Sequence, residues 1–207
     1  MKLQFGQLII TDKVENRLEE LGFTPETLES AVSLHKSNCN GSPSLYCGTY
    51  AKYNEGSICG LWIDVDSFDD YDEFIDFCKA IHADEDDPEL MFQDYDAFPG
   101  EWYSESGLGE KSFENIKEYC RLSNLYSTEA VDAFICGVGE DLSRFEECYM
   151  GEYDSEEDYA QQLVEDCYDI DKIMGNLSCY FDYAAFARDL FMCDYFFDNN
   201  FVFCRCC

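Results

Sequence analysis

The spacing of hydrophobic and polar positions changes along the chain, and each change predicts an element. LQFGQLII (residues 3–10) reads as a strand. Thr24-Pro25-Glu26 reads as a helix start, with Thr as cap and Pro at the first helical position, and the helix is expected to reach about His35. SNCNGSPS (37–44) reads as a linker. LYCGTYAKYNEGSICGLWIDV (45–65) holds two β-rich runs around Asn54-Glu55-Gly56, the pattern of a hairpin. The period then lengthens to that of a helix. Tyr71, Phe74, Ile75 and Cys78 fall on one face, and Asp69, Asp70, Asp72, Glu73 and Asp76 cover the other. An acidic loop from His82 to Pro88 leads into a third strand over 89–98, which runs into Pro99-Gly100.

From 104 to about 145 the pattern is helical. Phe113, Ile116 and Cys120 define one stripe, with Glu114 and Glu118 on the acidic side. Ser127 caps a second helix carrying Ala130, Val131, Phe134 and Ile135, which Gly137-Val138-Gly139 breaks. The stretch from Ser143 to Asp166 sets Glu146, Glu147, Glu152, Asp154, Glu156, Glu157, Asp158, Glu165 and Asp166 among Phe145, Tyr149, Tyr153, Tyr159, Leu163 and Val164. Two short helices with a break at Gly151 fit this pattern. Ser155 is the N-cap of the second, and Glu156, Glu157 and Asp158 occupy its first turn, where the helix dipole favours negative charge. The chain ends in a short helix around Ala184–Leu190 and a hairpin turning at Asn199-Asn200. The expected fold is α+β, divided into an N-terminal appendage (1–43), an α+β domain (44–103), a helical middle domain (104–145) and a C-terminal α+β domain (146–207).

Composition narrows the function. With 46% hydrophobic and 16% aromatic residues, the chain carries too large an apolar load for a disordered acidic segment, so it folds. Its 45 acids against 13 bases give a net charge of −32, which repels nucleic acid and anionic membrane and attracts basic surfaces, those of DNA-gripping proteins above all. Six acids and four bases in 1–43 leave 39 against 9 for the remainder, so the charge belongs to residues 44–207. Halophily would also explain acidity, but 17 Phe and 15 Tyr are a heavy apolar load for a high-salt protein. The 13 cysteines are odd in number and irregularly spaced, most at apolar positions, and MKLQFGQLII has no signal-peptide pattern. Free thiols acting as small hydrophobes in a reducing cytoplasm are therefore expected. No apolar run approaches a membrane span.

Catalytic chemistry is hard to assemble from these residues. Of the two histidines, His35 lies in the appendage and His82 beside the acidic loop, and either could be paired with almost any cysteine, so no Cys–His dyad is singled out. Gly107-Leu108-Gly109 lacks the lysine and spacing of a phosphate loop. The acidic runs starting at Asp64 and Asp94 have Phe at the fifth loop position, and neither has Gly where an EF-hand needs it. Cys204, Cys206 and Cys207 form C-x-C-C without the second pair of a zinc site. An enzyme is disfavoured, and neither cofactor nor metal is expected. What remains is a display of carboxylates on amphipathic helices: Asp69, Asp70, Asp72, Glu73, Asp76, Glu114, Glu118, Glu146, Glu147, Glu156, Glu157, Asp158, Glu165 and Asp166. Spread as densely as DNA phosphate, the excess charge of 44–207 would span about 50 Å of duplex, roughly 15 base pairs. The plainer alternative for any one helix is a solvated face on an acidic protein.

FEECYMGEYDSEEDYAQQLVED (145–166) resembles the antirestriction motif of the ArdA-type antirestriction proteins. YNEGSICGLWIDV (53–65), QDYDAFPG (93–100) and YFDYAAFARDLF (180–191) extend the resemblance, in order, over residues 45 to about 203. It implies a DNA mimic carried by mobile genetic elements, an elongated three-domain chain whose surface carboxylates imitate double-stranded B-DNA. Its partner would be the DNA-binding groove in the methyltransferase core of type I restriction–modification enzymes. The resemblance also implies a homodimer formed through the C-terminal domain, with the antirestriction motif at or near the interface, which would give Phe145, Tyr149, Met150 and Tyr153 a packing role there. The segment 1–43 and the terminal CRCC depart from the family pattern. An acidic binding module for another basic DNA-binding protein remains the alternative, with a thiol or metal enzyme built on the cysteines behind it.

Overall fold

A computed structural model describes residues 4–5, 8–9, 11–23, 32–33 and 41–206. The fold is α+β, with small antiparallel sheets and helices, and the chain divides into two compact units, residues 1–120 and 121–207.

The first unit is built on a four-stranded sheet in the order β3-β5-β4-β6, from Val32–Ser33 (β3), Ser44–Thr49 (β4), Leu61–Asp64 (β5) and Leu90–Asp96 (β6). β4 lies between two strands and buries five of its six residues, the polar Ser44 and Thr49 among them, so its burial does not alternate. β4 and β5 pair as the hairpin pattern predicts, with Cys47 opposite Leu61. Their connection, however, contains a short helix, α2 (Tyr50–Asn54), instead of a simple turn. Thr49 caps it, its hydroxyl accepting from the Lys52 N–H at 3.3 Å. Gly56, at φ +83°, then reverses the chain.

The helix read from the 67–81 pattern is α3 (Tyr71–Ala80). It buries Phe74, Phe77 and Cys78, and the rings of Phe68, Phe74, Phe77, Phe92 and Phe113 meet in the core at 5.2–6.0 Å.

Residues 1–43 depart most from expectation. In place of one strand over 3–10, Gln4–Phe5 (β1) pairs antiparallel with Leu8–Ile9 (β2). An unanticipated helix, α1 (Asp12–Glu20), follows, capped by Thr11 and burying Val14 and Leu18 one turn apart. Most of the helix expected from Thr24 to His35 lies outside the described residues. Where the chain is described, at Val32–Ser33, it is a strand, Val32 pairing with Ile63 of β5: an open sheet edge outweighs local helical preference. α1 packs on α3, and the Phe23 ring lies 4.9 Å from that of Phe77. The described parts of 1–43 thus contribute to the first unit's core.

Helices α4 (Glu110–Leu125) and α5 (Thr128–Gly137) follow the helical pattern of 104–145, with Ser127 capping α5 at 3.1 Å. The second unit holds a three-stranded sheet in the order β7-β9-β8, from Tyr149–Glu152 (β7), Tyr195–Asp198 (β8) and Phe201–Cys204 (β9). Phe134, Phe145, Val202 and Phe203 are buried at its centre. The β8–β9 hairpin turns at Asn199 (φ 49°) and Asn200 (φ 72°), both left-handed, as Asn-Asn permits. Of the two helices expected around Gly151, the first is one turn, α6 (Phe145–Cys148), and the chain then becomes strand β7. Gly151, at φ +119°, sits where the β7–β9 register shifts, so the break is a bulged strand. The second helix is α7 (Glu156–Cys167), which packs on α9 (Tyr183–Cys193). Between them lie α8 (Ile170–Met174) and a 3-10 helix, Gly175–Tyr180.

Candidate interaction surface

Helices α3 and α7 begin with the same device. On α3, the Asp70 carboxylate accepts from the Glu73 N–H at 2.9 Å, while Glu73 Oε2 accepts from the Asp69 N–H at 3.0 Å. On α7, Ser155 Oγ accepts from the Asp158 N–H at 3.1 Å, and Asp158 Oδ2 accepts from the Asp154 N–H at 3.4 Å. Each is a variant of the reciprocal capping box in which the returning carboxylate takes the N–H one residue before the N-cap; it satisfies an orphaned first-turn N–H and holds a carboxylate against the helix's positive end. Both helices then bury one face, Phe74, Phe77 and Cys78 on α3 and Tyr159, Ala160 and Val164 on α7.

Of the fourteen acids read from the sequence, Asp69, Asp70, Asp72, Glu73, Asp76, Glu114, Glu146, Glu147, Glu156, Glu157, Asp158, Glu165 and Asp166 are exposed, and Glu118 is half-buried. They fall in separate stretches: Asp69–Asp76 and Glu114–Glu118 in the first unit, Glu146–Asp166 in the second. Sequence reasoning missed the neutral and basic residues that orient them. Gln161 Nε2 donates to Glu165 at 2.9 Å and Gln162 Nε2 to Asp166 at 3.0 Å, each one turn along α7. Arg121 reaches Glu146 at 3.4 Å. Lys117 donates to the carbonyls of Asp66 and Phe68 at 2.7 and 2.8 Å, fixing the turn before α3. The i,i+4 spacing of Gln161/Glu165 and Gln162/Asp166 was the available signal.

The aromatic residues of 145–153 have unequal surroundings. Phe145 is fully buried within its own unit, its ring 5.3 Å from Phe134, 5.7 Å from Phe203 and stacked 5.4 Å from Tyr149. Tyr149, Met150 and Tyr153 are half-buried, and Tyr153 lies 5.0 Å from Tyr159.

Residues 45–203, more than three quarters of the chain, match the protein family described as Antirestriction protein (ArdA). The chain belongs to this family. Antirestriction proteins act against restriction enzymes, as inhibitors of them. No curated protein matches the chain. The family match begins in β4 and ends in β9, so it takes in α3, α7 and the capping boxes, and leaves β1, β2, α1 and β3 outside it.

Within this antirestriction chain the structure also brings together a thiol and a histidine that the sequence left apart. His82 is fully buried, its Nδ1 2.8 Å from Lys52 Nζ and its Nε2 3.3 Å from the Cys47 carbonyl. A lysine ammonium only donates, so Nδ1 accepts and the Nε2–H donates to Cys47. Lys52 also pairs with Asp84 at 2.9 Å and Glu85 at 3.2 Å, and Thr49 donates to Glu85 at 2.7 Å. Burial raises both Cys47 and Cys78; against it, the hydrogen bond from Cys78 and the nearby His82 and Lys52 bring Cys47 down to about 6, while Cys78 is pushed up. With both thiols and the imidazole at 0% exposure, the cluster is a satisfied polar knot tying β4, α2, α3 and the 81–85 turn, not an accessible nucleophile. The other described thiols divide between Cys120 and Cys148, which are buried, Cys59 and Cys204, half-buried, and Cys136, Cys167, Cys179, Cys193 and Cys206, exposed, more exposure than the sequence pattern predicts. Among the described residues no three His, Cys, Asp or Glu side chains form a metal-holding group, and no helix is long and apolar enough to cross a membrane.

Proposed function

We propose that this family member inhibits type I restriction–modification enzymes by imitating B-DNA, its carboxylates occupying the groove in the methyltransferase core that normally takes a duplex. The observation that carries this is the construction of α3 and α7: each anchors one face in a core and directs its carboxylates outward, with the first turn locked by a capping box. A duplex presents charge at fixed spacing along a rigid rod, and its phosphates position a protein without specifying sequence. Carboxylates on packed, capped helices approach the same requirement, because the backbone that carries them is already ordered before docking. An acidic surface extending along the chain's units, about 50 Å of duplex equivalent per chain, is part of the reading. So is a cytoplasmic, non-enzymatic inhibitor carried by mobile DNA.

The same reading includes a homodimer through the C-terminal region, with Tyr149, Met150 and Tyr153 at the contact. Phe145 would then serve from behind, because it is already buried in its own protomer and stacks beneath Tyr149.

Competition decides the mechanism. A purified type I methyltransferase core, labelled cognate duplex and this protein are mixed, and the complexes separated by sedimentation or gel mobility. The proposal expects binding of duplex and protein to be mutually exclusive, with affinity for the protein falling as salt rises. A ternary complex holding both would exclude groove occupancy and favour an acidic module docking elsewhere on a basic protein.

A further inference from the structure

Residues 168–180 form structure without forming core. α8 and the 3-10 helix after it pack on each other through the bend at Gly175 (φ +57°), and neither contains a buried residue. Yet the segment is not polar. Tyr168 is 54% exposed, Ile173 67%, Leu177 60% and Tyr180 79%. Helices of five or six residues are not stable alone in water, so an element this short that buries nothing of its own lacks the packing that normally supports it. Scattered apolar residues on a surface mean little, but four large ones within one short segment are a patch.

Beside the patch lies an open cleft of about 790 Å³, lined by Val164, Tyr168, Ile170 and Phe181. Carboxylates Glu165, Asp166, Asp169 and Asp171 line it too, and no lysine or arginine does. We propose that this cleft and the exposed side chains of 168–180 are a docking site for a basic amphipathic helix of a partner protein. Apolar side chains at i, i+3, i+4 and i+7 would cover Tyr168, Ile173 and Leu177, and flanking lysines or arginines would meet the carboxylates. Charge selects this occupant over a second copy of the chain. A copy seated here about a two-fold axis would set Glu165, Asp166, Asp169 and Asp171 against their own counterparts, and like charges brought together cost affinity. The site is separate from the carboxylate display of α3 but shares Glu165 and Asp166 with that of α7, and its test needs no restriction enzyme.

The probe is a fluorescent 18-residue Leu/Lys peptide with leucines at helical spacing, and the control is the same composition scrambled so that no apolar face forms. Binding to the full chain is followed by anisotropy at 150 mM salt, and peptide helicity by circular dichroism. The ordered peptide should bind at least tenfold more tightly than the scrambled one and become helical. That preference should disappear in I173S/L177S, a change at two exposed positions that should leave the protein's own spectrum and sedimentation as in the parent. Equal binding of both peptides would mean that net charge alone attracts them and would overturn the site. An ordered-peptide preference that survives I173S/L177S would place the groove elsewhere. A fall in oligomeric state on I173S/L177S would identify a second copy as the occupant, also against the proposal.

Discussion

The capping boxes make the charge-display mechanism testable one face at a time, because they divide the acids of α3 by job. Asp70 and Glu73 hold the first turn, whereas Asp72 and Asp76 take no part in the cap. Replacing Asp70 by Ala removes an N-cap, a cost of about 1 kcal/mol, and should lower the melting temperature by roughly 3–5 °C. The double change D72N/D76N leaves the cap intact and should leave melting within about 1 °C of the parent. Its effect belongs in binding. An exposed charge contact is worth about 0–1 kcal/mol, so losing two should weaken inhibition by about fivefold, near 1 kcal/mol in all. Paired measurements of thermal unfolding by circular dichroism and of competition with duplex for a type I methyltransferase core separate the two effects. Adding E114Q, E156Q and E157Q should continue a graded decline. If one of these substitutions abolished inhibition while the others did nothing, a localised contact would replace the charge lattice and the reasoning would fail.

Three further outcomes follow from the packing. Phe145→Ala should cost about 3–5 kcal/mol in the second unit, seen as early loss of its near-ultraviolet signal, while Tyr149→Asp should leave the unit folded and be read in sedimentation; a Phe145→Ala protein as stable as the parent would contradict the ring cluster. A chain starting at Ser44 removes Val14, Leu18 and Phe23 from the core and should unfold at lower denaturant than the full chain, whereas the family match beginning at 45 would by itself suggest little loss. Burial, helped by Asp66 and Asp64, pushes the Cys120 thiol up to about 12, so the folded state keeps it neutral where the unfolded chain would ionise; stability on this account is intact below about pH 9 and is lost between about pH 9 and 12, and Cys120→Ala should flatten that part of an alkaline unfolding curve.

The sequence carried the helices of 67–145, the Ser127 and Ser155 caps and the Asn199-Asn200 hairpin because each has a local cause: a 3.6-residue apolar stripe, a hydroxyl at the N-cap, residues that tolerate left-handed backbone. What it concealed depends on distant partners. Val32 becomes a strand only because β5 has an edge to offer, and Tyr149–Glu152 pairs with a strand some fifty residues later. The carboxylates of the candidate surface were legible by type and helical face, but their rigidity was not, since it comes from Gln161, Gln162, Arg121 and the two reciprocal caps. The Cys47–His82 contact was likewise invisible: it joins β4 to the turn after α3, which no spacing rule connects.

The uncovered side chains of 168–180 bear on how the charge itself should be understood. Ile173, Leu177 and Tyr180 in water invite non-specific aggregation beyond any specific dimer, and a net charge of −32 is a colloidal barrier against it. The acids thus keep the chain dispersed as well as recognisable to a basic partner. Stripping many at once would bring turbidity before it brought a clean loss of affinity. I173S/L177S would therefore serve as the background for any variant in which the carboxylates are neutralised wholesale.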